Sequence, residues 1–315
     1  MNQFLKALCL IAFITFFAAC KKDDDVSITP PRDFAVQYNS EKDSIVKYLK
    51  THYIVNVDAD YNISFDSIRN ASQVSIWDQT TFPLQKKEMV RSTNTENLVD
   101  YTLYYLVLNQ GVGNQPSRAD DVLIAYRGLL LNDTQFDYNP FPQVPFSLYY
   151  DVAVEGWREL LPLFNAGVFT DVPGDPNPAR FENYGAGVMF IPSGMAYYNQ
   201  SQGLIPAYNS LIFSFKLYAV NYTDIDADGI LNKDEIYAPF TDIQDVDTDG
   251  DGTPNYLDID DDGDGYVTKR ERLKYDYTDP ANPVPFNPAQ YYEFADIPTC
   301  TGGTLPRHLD PNCFR

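Results

Sequence analysis

Between residues 224 and 271 one pattern occurs three times: Asp224-x-Asp226-x-Asp228-Gly229, Asp247-x-Asp249-x-Asp251-Gly252 and Asp260-x-Asp262-x-Asp264-Gly265. Each is followed at loop position 12 by an acidic residue: Glu235, Asp258 and Glu271. Carboxylates at this density repel one another and leave little apolar surface to bury. A fold here needs a cation. Ca²⁺ takes six to eight hard oxygens at about 2.3–2.6 Å, and the spacing supplies them from positions 1, 3, 5 and 12. Glycine at position 6 permits the sharp turn. The carbonyls of Ile230, Thr253 and Tyr266 stand at position 7, and Asn232, Asn255 and Thr268 at position 9. The plain alternative, a solvated acidic linker, does not account for regular carboxylate spacing with glycine at one fixed position. The expectation is Ca²⁺ in a shaping role, held by these twelve acidic residues.

The first and third repeats satisfy the D-x-D-x-D-G-x5-E pattern and resemble EF-hand loops. The flanks do not suit paired helices. A strand-like run, LIFSFKLYAVNY, precedes Asp224, Pro239 and Pro254 interrupt the spacers, and only about Thr268 to Tyr275 reads as helix. The run DVDTDGDGTPNYLDIDDDGDG is similar instead to thrombospondin type 3 repeats. That resemblance implies a small module over 221–275 with calcium ions as its core.

The formal charge of −21 excludes nucleic acid as a partner, because phosphate binding needs clustered Lys and Arg. An apolar content of 44% over 315 residues leaves ample material for one large or two small packed domains.

Residues 1–19 read as a secretory signal: Lys6, an apolar run from Ala7 to Phe17, then small residues before Cys20. The run is short for a membrane span. Ending Phe-Ala-Ala-Cys, it resembles a bacterial lipobox, although Phe17 stands where leucine is usual. The resemblance implies cleavage before Cys20 and lipidation of that cysteine. The chain would then be extracytoplasmic and anchored to a bacterial outer membrane, on its periplasmic or surface face. An ordinary signal peptide with an incidental cysteine is the alternative. Residues 20–33, with Lys21-Lys22-Asp23-Asp24-Asp25 and Pro30-Pro31, read as a flexible tether.

Residues 34–98 form an N-terminal extension. A helix is expected from about Ser40 to His52, capped by Ser40 with Asp43, followed by short strands at YIVNV, ISF and VSIW. The runs from Leu98 to Gly111 and from Val122 to Leu131 are strands, joined by a Gly/Pro/Asn-rich loop. Their order predicts that they pair with each other.

From residue 99 to 220 four blocks occur in order. They are Ile124-Ala-Tyr126-Arg-Gly128 with Phe136-Asp137, Val154-Glu-Gly-Trp157, Ile191-Pro-Ser-Gly-Met-Ala-Tyr197, and Ile205-Pro-Ala-Tyr-Asn-Ser-Leu-Ile-Phe213. Together they resemble the FKBP-type peptidyl-prolyl isomerases. The resemblance implies an α+β fold, a strongly curved antiparallel sheet around one short helix, here RELLPLFNAG. It also implies a proline pocket. Trp157 would be the floor and Tyr126, Phe136, Phe146 and Phe213 the walls. Val154 would offer its N–H, Tyr197 its hydroxyl, Asp137 a charge beside the rotating carbonyl, and Ile205 the rim. The alternative is that the rings are plain core. Against it, an aspartate is costly inside an apolar core.

An X-Pro amide turns slowly because resonance gives its C–N bond double-bond character. A dry pocket favours the less polar, twisted state. No cofactor is needed for that. The implied activity is cis-trans isomerisation assisting the folding of exported proteins, with proline-containing polypeptides as clients. Two other functions fit the same residues: a proline-segment binding module without turnover, and a calcium-dependent surface interaction protein. The chain departs from the pattern at four places. No arginine stands ready to pair with Asp137. Tyr198 replaces a usual glycine. The flap tip, residues 200–203, differs. FTDVPGDPNPARFENY is an insertion.

Residues 276–315 form an extended tail. Outside the cytoplasm, Cys300 and Cys313 favour a disulfide. A zinc site with His308 is the weaker alternative.

Overall fold

In a computed structural model of the chain, residues 30–92, 98–151, 154–171, 173–174 and 179–313 are described. The signal segment, Cys20 and most of the tether lie outside them. Among the described residues no helix is long and apolar enough to cross a membrane.

The first helix, α1 (Phe34–Thr51), leads into strands β1 (His52–Val57) and β2 (Ile63–Ser67), which pair as a hairpin. Then follow β3 (Gln85–Ser92), β4 (Leu98–Asn109), β5 (Asp121–Leu130), β6 (Gln135–Asn139) and β7 (Phe146–Ser147). A short helix, α2 (Glu155–Leu160), tightens into a 3-10 turn over Leu161–Leu163, which accommodates Pro162. The insertion forms a small hairpin of β8 (Val168–Thr170) and β9 (Arg180–Glu182). The long strands β10 (Gly185–Ile191) and β11 (Leu211–Asn221) complete the sheet.

The main sheet is antiparallel, in the order β3-β4-β10-β11-β5-β6, with β7 on β5. The expected pairing of β4 with β5 is not what forms, since β10 and β11 lie between them. The connecting loop does not turn back. The Gly113 N–H donates to the Ala166 carbonyl at 2.8 Å and the Ala166 N–H to the Asn114 carbonyl at 2.7 Å, so the chain runs past the end of α2 instead. β10, reading GAGVMFI, is buried at all seven positions. It has no polar alternation because both faces of the sheet are covered. On one face lie Trp157, Leu160, Leu161 and Phe164. On the other, Ile45, Tyr48 and Leu49 of α1 pack with Ile63 and Ile76 on Leu106, Val188 and Phe190.

The N-terminal extension is thus a second layer of the same core. Its helix starts earlier than Ser40: the Asp33 carboxylate accepts from the Val36 N–H at 3.0 Å, and Gln37, Tyr38 and Glu41 are buried. The polar letters of that first turn hide an inward face. VSIW is not a strand. Its Ile76 and Trp77 N–H groups donate to the carbonyls of His52 and Leu49, which fold it over the junction of α1 and β1.

Glu41 ties α1 to the loop after β10. Its carboxylate accepts from the Ser193 N–H at 2.6 Å, from the Ser193 hydroxyl, and from the Gln37 amide at 2.5 Å. Phe34 stacks on Tyr198 with ring centroids 3.9 Å apart. Tyr198 holds a left-handed φ of 51°, which accounts for the glycine usual at that place. The strain of about 1 kcal/mol for a non-glycine residue is opposed by this stack. Replacing Glu41 by Ala leaves two Ser193 donors unpaired in the interior. It is expected to cost about 3 kcal/mol in urea unfolding, a charged acceptor being worth more than a neutral one. A change below about 1 kcal/mol would remove the clamp from the account.

The acidic segment docks beside β5. The Thr223 N–H and hydroxyl donate to Asp120 and to the Ala119 carbonyl, and Ile243 and Tyr256 pack on Ala119. Arg118 bridges the two parts, pairing with Glu159 of α2 and lying 3.6 Å from Asp242. The expected helix after the third repeat is only α3 (Thr268–Glu271). In the tail, Cys300 and Cys313 are joined, with Cα atoms 5.7 Å apart. That bond uses both thiols. His308 is buried, and burial with nearby Arg272 and Arg307 pushes its imidazole down to about 4.

Candidate functional site

β5, β6, β7, β11 and α2 converge on a cavity of about 270 Å³. Trp157, in the first turn of α2, lies at its base. Tyr126, Phe146 and Phe213 stand edge-on to the indole, with centroids at 5.0, 5.3 and 4.9 Å, and Phe136 meets Phe213 edge-on at 5.4 Å. Such tilted contacts are the favoured arrangement of rings. They leave an apolar box open on one side. Period-two alternation puts Ile124 and Tyr126 into it from β5, and Gly128 makes room for Phe136. A Cβ at Gly128 would lie 2.4 Å from that ring.

Eight of the nine residues singled out in the sequence line this cavity: Tyr126, Phe136, Asp137, Phe146, Val154, Trp157, Tyr197 and Phe213. Ile205 does not. A tight turn closed by reciprocal backbone bonds between Gln202 and Ile205 directs it into the core, where it is buried. Ile124, Asn139, Val144 and Asp151 also line the cavity and were not expected. Alternation along β5 could have found Ile124; no sequence signal marks the other three.

Asp137 lies at the mouth of the cavity and not within the apolar core. The residue is exposed, and the Tyr126 hydroxyl donates to its carboxylate at 2.8 Å, while the Tyr138 N–H donates at 2.7 Å. Its side-chain partner among the described residues is Tyr126, not an arginine. Burial, with this bond second, raises the Tyr126 hydroxyl well above the usual phenol range. Burial, then the Asp137 charge, raises Tyr197 too. Both stay protonated and able to donate.

A larger open cleft of about 780 Å³ lies along the outer side of β5 and β11. Arg127, Lys216 and Asp60 help to line it, together with Tyr61, Phe181 and Tyr184.

The three acidic loops are built alike. In each, the position-6 glycine N–H donates to the position-1 carboxylate at 3.0 Å, and Gly229, Gly252 and Gly265 have φ of 98°, 98° and 89°. The position-5 N–H donates to position 3 and the position-7 N–H to position 5. Oxygens of Asp224, Asp226 and Asp228 lie within 4.8 Å of one another, as do those of Asp247, Asp249 and Asp251 and those of Asp260, Asp262 and Asp264. Glu235 and Glu271 are buried, and neither of their oxygens has a hydrogen-bond partner among the described residues. Burial first, then neighbouring carboxylates, pushes Glu235 up to about 11, Glu271 to about 9 and Asp226 to about 8. Asp258 is shifted upward for the same reason. Inward-facing carboxylate oxygens without donors are the chemistry a hard divalent cation fits.

The antiparallel sheet laid on one short helix thus forms an aromatic box with a tyrosine–aspartate pair at its mouth. The FKBP-type peptidyl-prolyl cis-trans isomerase FkpA of Aeromonas hydrophila is 29% identical over 143 residues, 45% of this chain and 45% of that protein. The FKBP-type 22 kDa peptidyl-prolyl cis-trans isomerase of Escherichia coli K12 is 29% identical over 136 residues, 43% and 55% of the two. The outer membrane protein MIP of Legionella longbeachae is 29% identical over 119 residues, 38% and 44%. The chain spans about half the length of the curated relatives it matches. Among solved structures, FkpA from Escherichia coli is 26% identical over 42% of this chain and 51% of that one, with a TM-score of 0.30. A peptidyl-prolyl cis-trans isomerase from Pseudomonas syringae is 18% identical over 61% of this chain and 99% of that one, at 0.34. Residues 219–307 match a separate family model, described as BamM C-terminal. The chain is therefore similar to FKBP-type isomerases over roughly two-fifths of its length, and its acidic segment and tail match a different family.

Proposed function

We propose that this chain is a peptidyl-prolyl cis-trans isomerase for exported polypeptides, held outside the cytoplasm by a lipid on Cys20. The observation that carries the reading is the aromatic box over Trp157, with the Tyr126–Asp137 pair at its mouth. A proline ring of a client chain enters the box. The Tyr197 hydroxyl and the Val154 N–H take carbonyls on either side of it. The prolyl amide then sits where water is excluded, and the twisted amide, less polar than the planar one, is favoured. Asp137, fixed by Tyr126, presents negative charge to the carbonyl carbon as resonance is lost. No bond to the protein forms and no cofactor takes part.

The acidic module binds Ca²⁺ through Asp224, Asp226, Asp228 and Glu235 in the first loop, through Asp247, Asp249, Asp251 and Asp258 in the second, and through Asp260, Asp262, Asp264 and Glu271 in the third. Its role is structural. The Legionella longbeachae relative's name places that protein in an outer membrane, which agrees with a signal over residues 1–19 and a lipid on Cys20.

A second reading, a proline-segment binder without turnover, draws on the flap. Tyr198 is packed beneath Phe34 and Ser193 is bonded to Glu41, so the loop is held by the N-terminal helix. One assay separates the two. Isomerisation of a short proline peptide is measured with wild type, Asp137→Ala and Trp157→Ala. A wild-type rate equal to the uncatalysed rate, with peptide binding retained, rejects the enzyme and keeps the binder.

A further inference from the structure

The third acidic loop carries a carboxylate that the calcium pattern does not use. Asp261 stands at position 2. Positions 1, 3 and 5 turn toward a loop's own ion, so position 2 turns away from it. The first and second loops place Ile225 and Thr248 there. In all three loops the position-2 N–H is taken by the position-9 side chain: Ile225 by Asn232 at 3.1 Å, Thr248 by Asn255 at 3.0 Å and Asp261 by Thr268 at 3.3 Å. Position 9 is therefore spent on holding the loop. In the first loop Asn232 is fully buried, and its amide nitrogen donates to Thr223 at 2.9 Å. The position-9 seat of that site is left without a side-chain oxygen.

Asp261 is 2% exposed, and neither carboxylate oxygen has a hydrogen-bond partner among the described residues. A buried carboxylate persists when it is paired or coordinates a metal. Its surroundings are those of the first loop. Lys269 donates to the Ala227 carbonyl at 3.1 Å and Arg272 to the Asp228 carbonyl at 3.0 Å, which seats α3 and its loop on residues 227–229.

Building on the calcium reading above, we infer that Asp261 is a ligand of the ion in the first loop, supplied from the third. The first site then joins residues 224–235 to residues 260–271 through one cation. Filling it locks two repeats together rather than ordering one.

Calcium titration calorimetry of the chelator-stripped full chain tests this. Wild type is expected to bind three ions. Asp261→Ala, and Asp261→Asn, which keeps the shape but not the charge, should each weaken one site by more than about tenfold, since even outer-shell changes cost that much. Asp224→Ala should abolish that same site. Adding Asp261→Ala to Asp224→Ala should then leave the remaining two unchanged. Circular dichroism confirms that each variant is folded. Wild-type affinities in both Asp261 variants overturn the assignment, as does loss of a second site in the double variant. A wild type that binds no calcium at millimolar concentration rejects the calcium reading itself.

Discussion

Stripped of calcium at pH 8, the protein is expected to lose the order of residues 224–271 while the sheet around Trp157 stays folded. Without the ion the module holds carboxylates driven upward by burial and by one another: Asp228 and Asp262 to about 6, Asp226 to about 8, Asp261 and Glu271 to about 9 and Glu235 to about 11. The sign follows from proton uptake. A carboxyl whose folded pKa is raised holds its proton better in the folded state. Its stabilising effect is complete below the unfolded range near 4 and is lost as pH climbs through the folded value. The melting temperature of the ion-free module should therefore fall steadily from pH 5 to pH 9. With calcium the trend reverses, because the ligands bind deprotonated. At a hundredfold excess of calcium over Kd, each site contributes about 2.7 kcal/mol. Melting curves with EDTA and with calcium across that range provide the check. An ion-free transition that does not move with pH rejects the electrostatic account.

The second large effect separates packing from chemistry at the pocket. Trp157 is buried against three rings, so Trp157→Ala should cost about 3–5 kcal/mol of stability and remove turnover together. Asp137 is exposed and makes two hydrogen bonds. Its replacement by Ala should change stability by less than about 1 kcal/mol. Turnover should nevertheless fall at least about tenfold, which needs only about 1.4 kcal/mol of lost transition-state stabilisation. Urea unfolding and the peptide assay on the same two preparations give both numbers. If Asp137→Ala turns over like wild type, the carboxylate has no part in the reaction, and the rings alone carry it.

Much of this was legible in the chain because it is written locally. Alternation in LVDYTLYYLVLN and SLIFSFKLYAV marks strands, and D-x-D-x-D-G marks loops whose internal bonds all fall within a dozen residues. The pocket rings follow from four short blocks. What could not be read depends on distant partners. Glu41 reads as an exposed helix residue until Ser193, 152 positions on, supplies its donors. Tyr198 reads as a misplaced glycine until Phe34 stacks on it. Asp261 is one of five aspartates between Asp258 and Asp264, and only the docking of α3 on the first loop sets it apart. For Asp137 the place was legible but the partner was not: Tyr126 lies eleven residues back on the neighbouring strand, where no charge pattern draws attention to it.

The sheet order also governs when the molecule can close. The β3–β4 hairpin is local, but β4 waits for β10, and β5 waits for β11, some ninety positions later. Pairings of such sequence separation are slow, because loop closure precedes any gain from contact. A chain emerging from its N-terminus holds β5 with an unpaired edge until residue 221 has arrived. Throughout that interval the rings of the future pocket are open to solvent and to neighbours, so a protein proposed to fold others is itself, at birth, in need of the same protection.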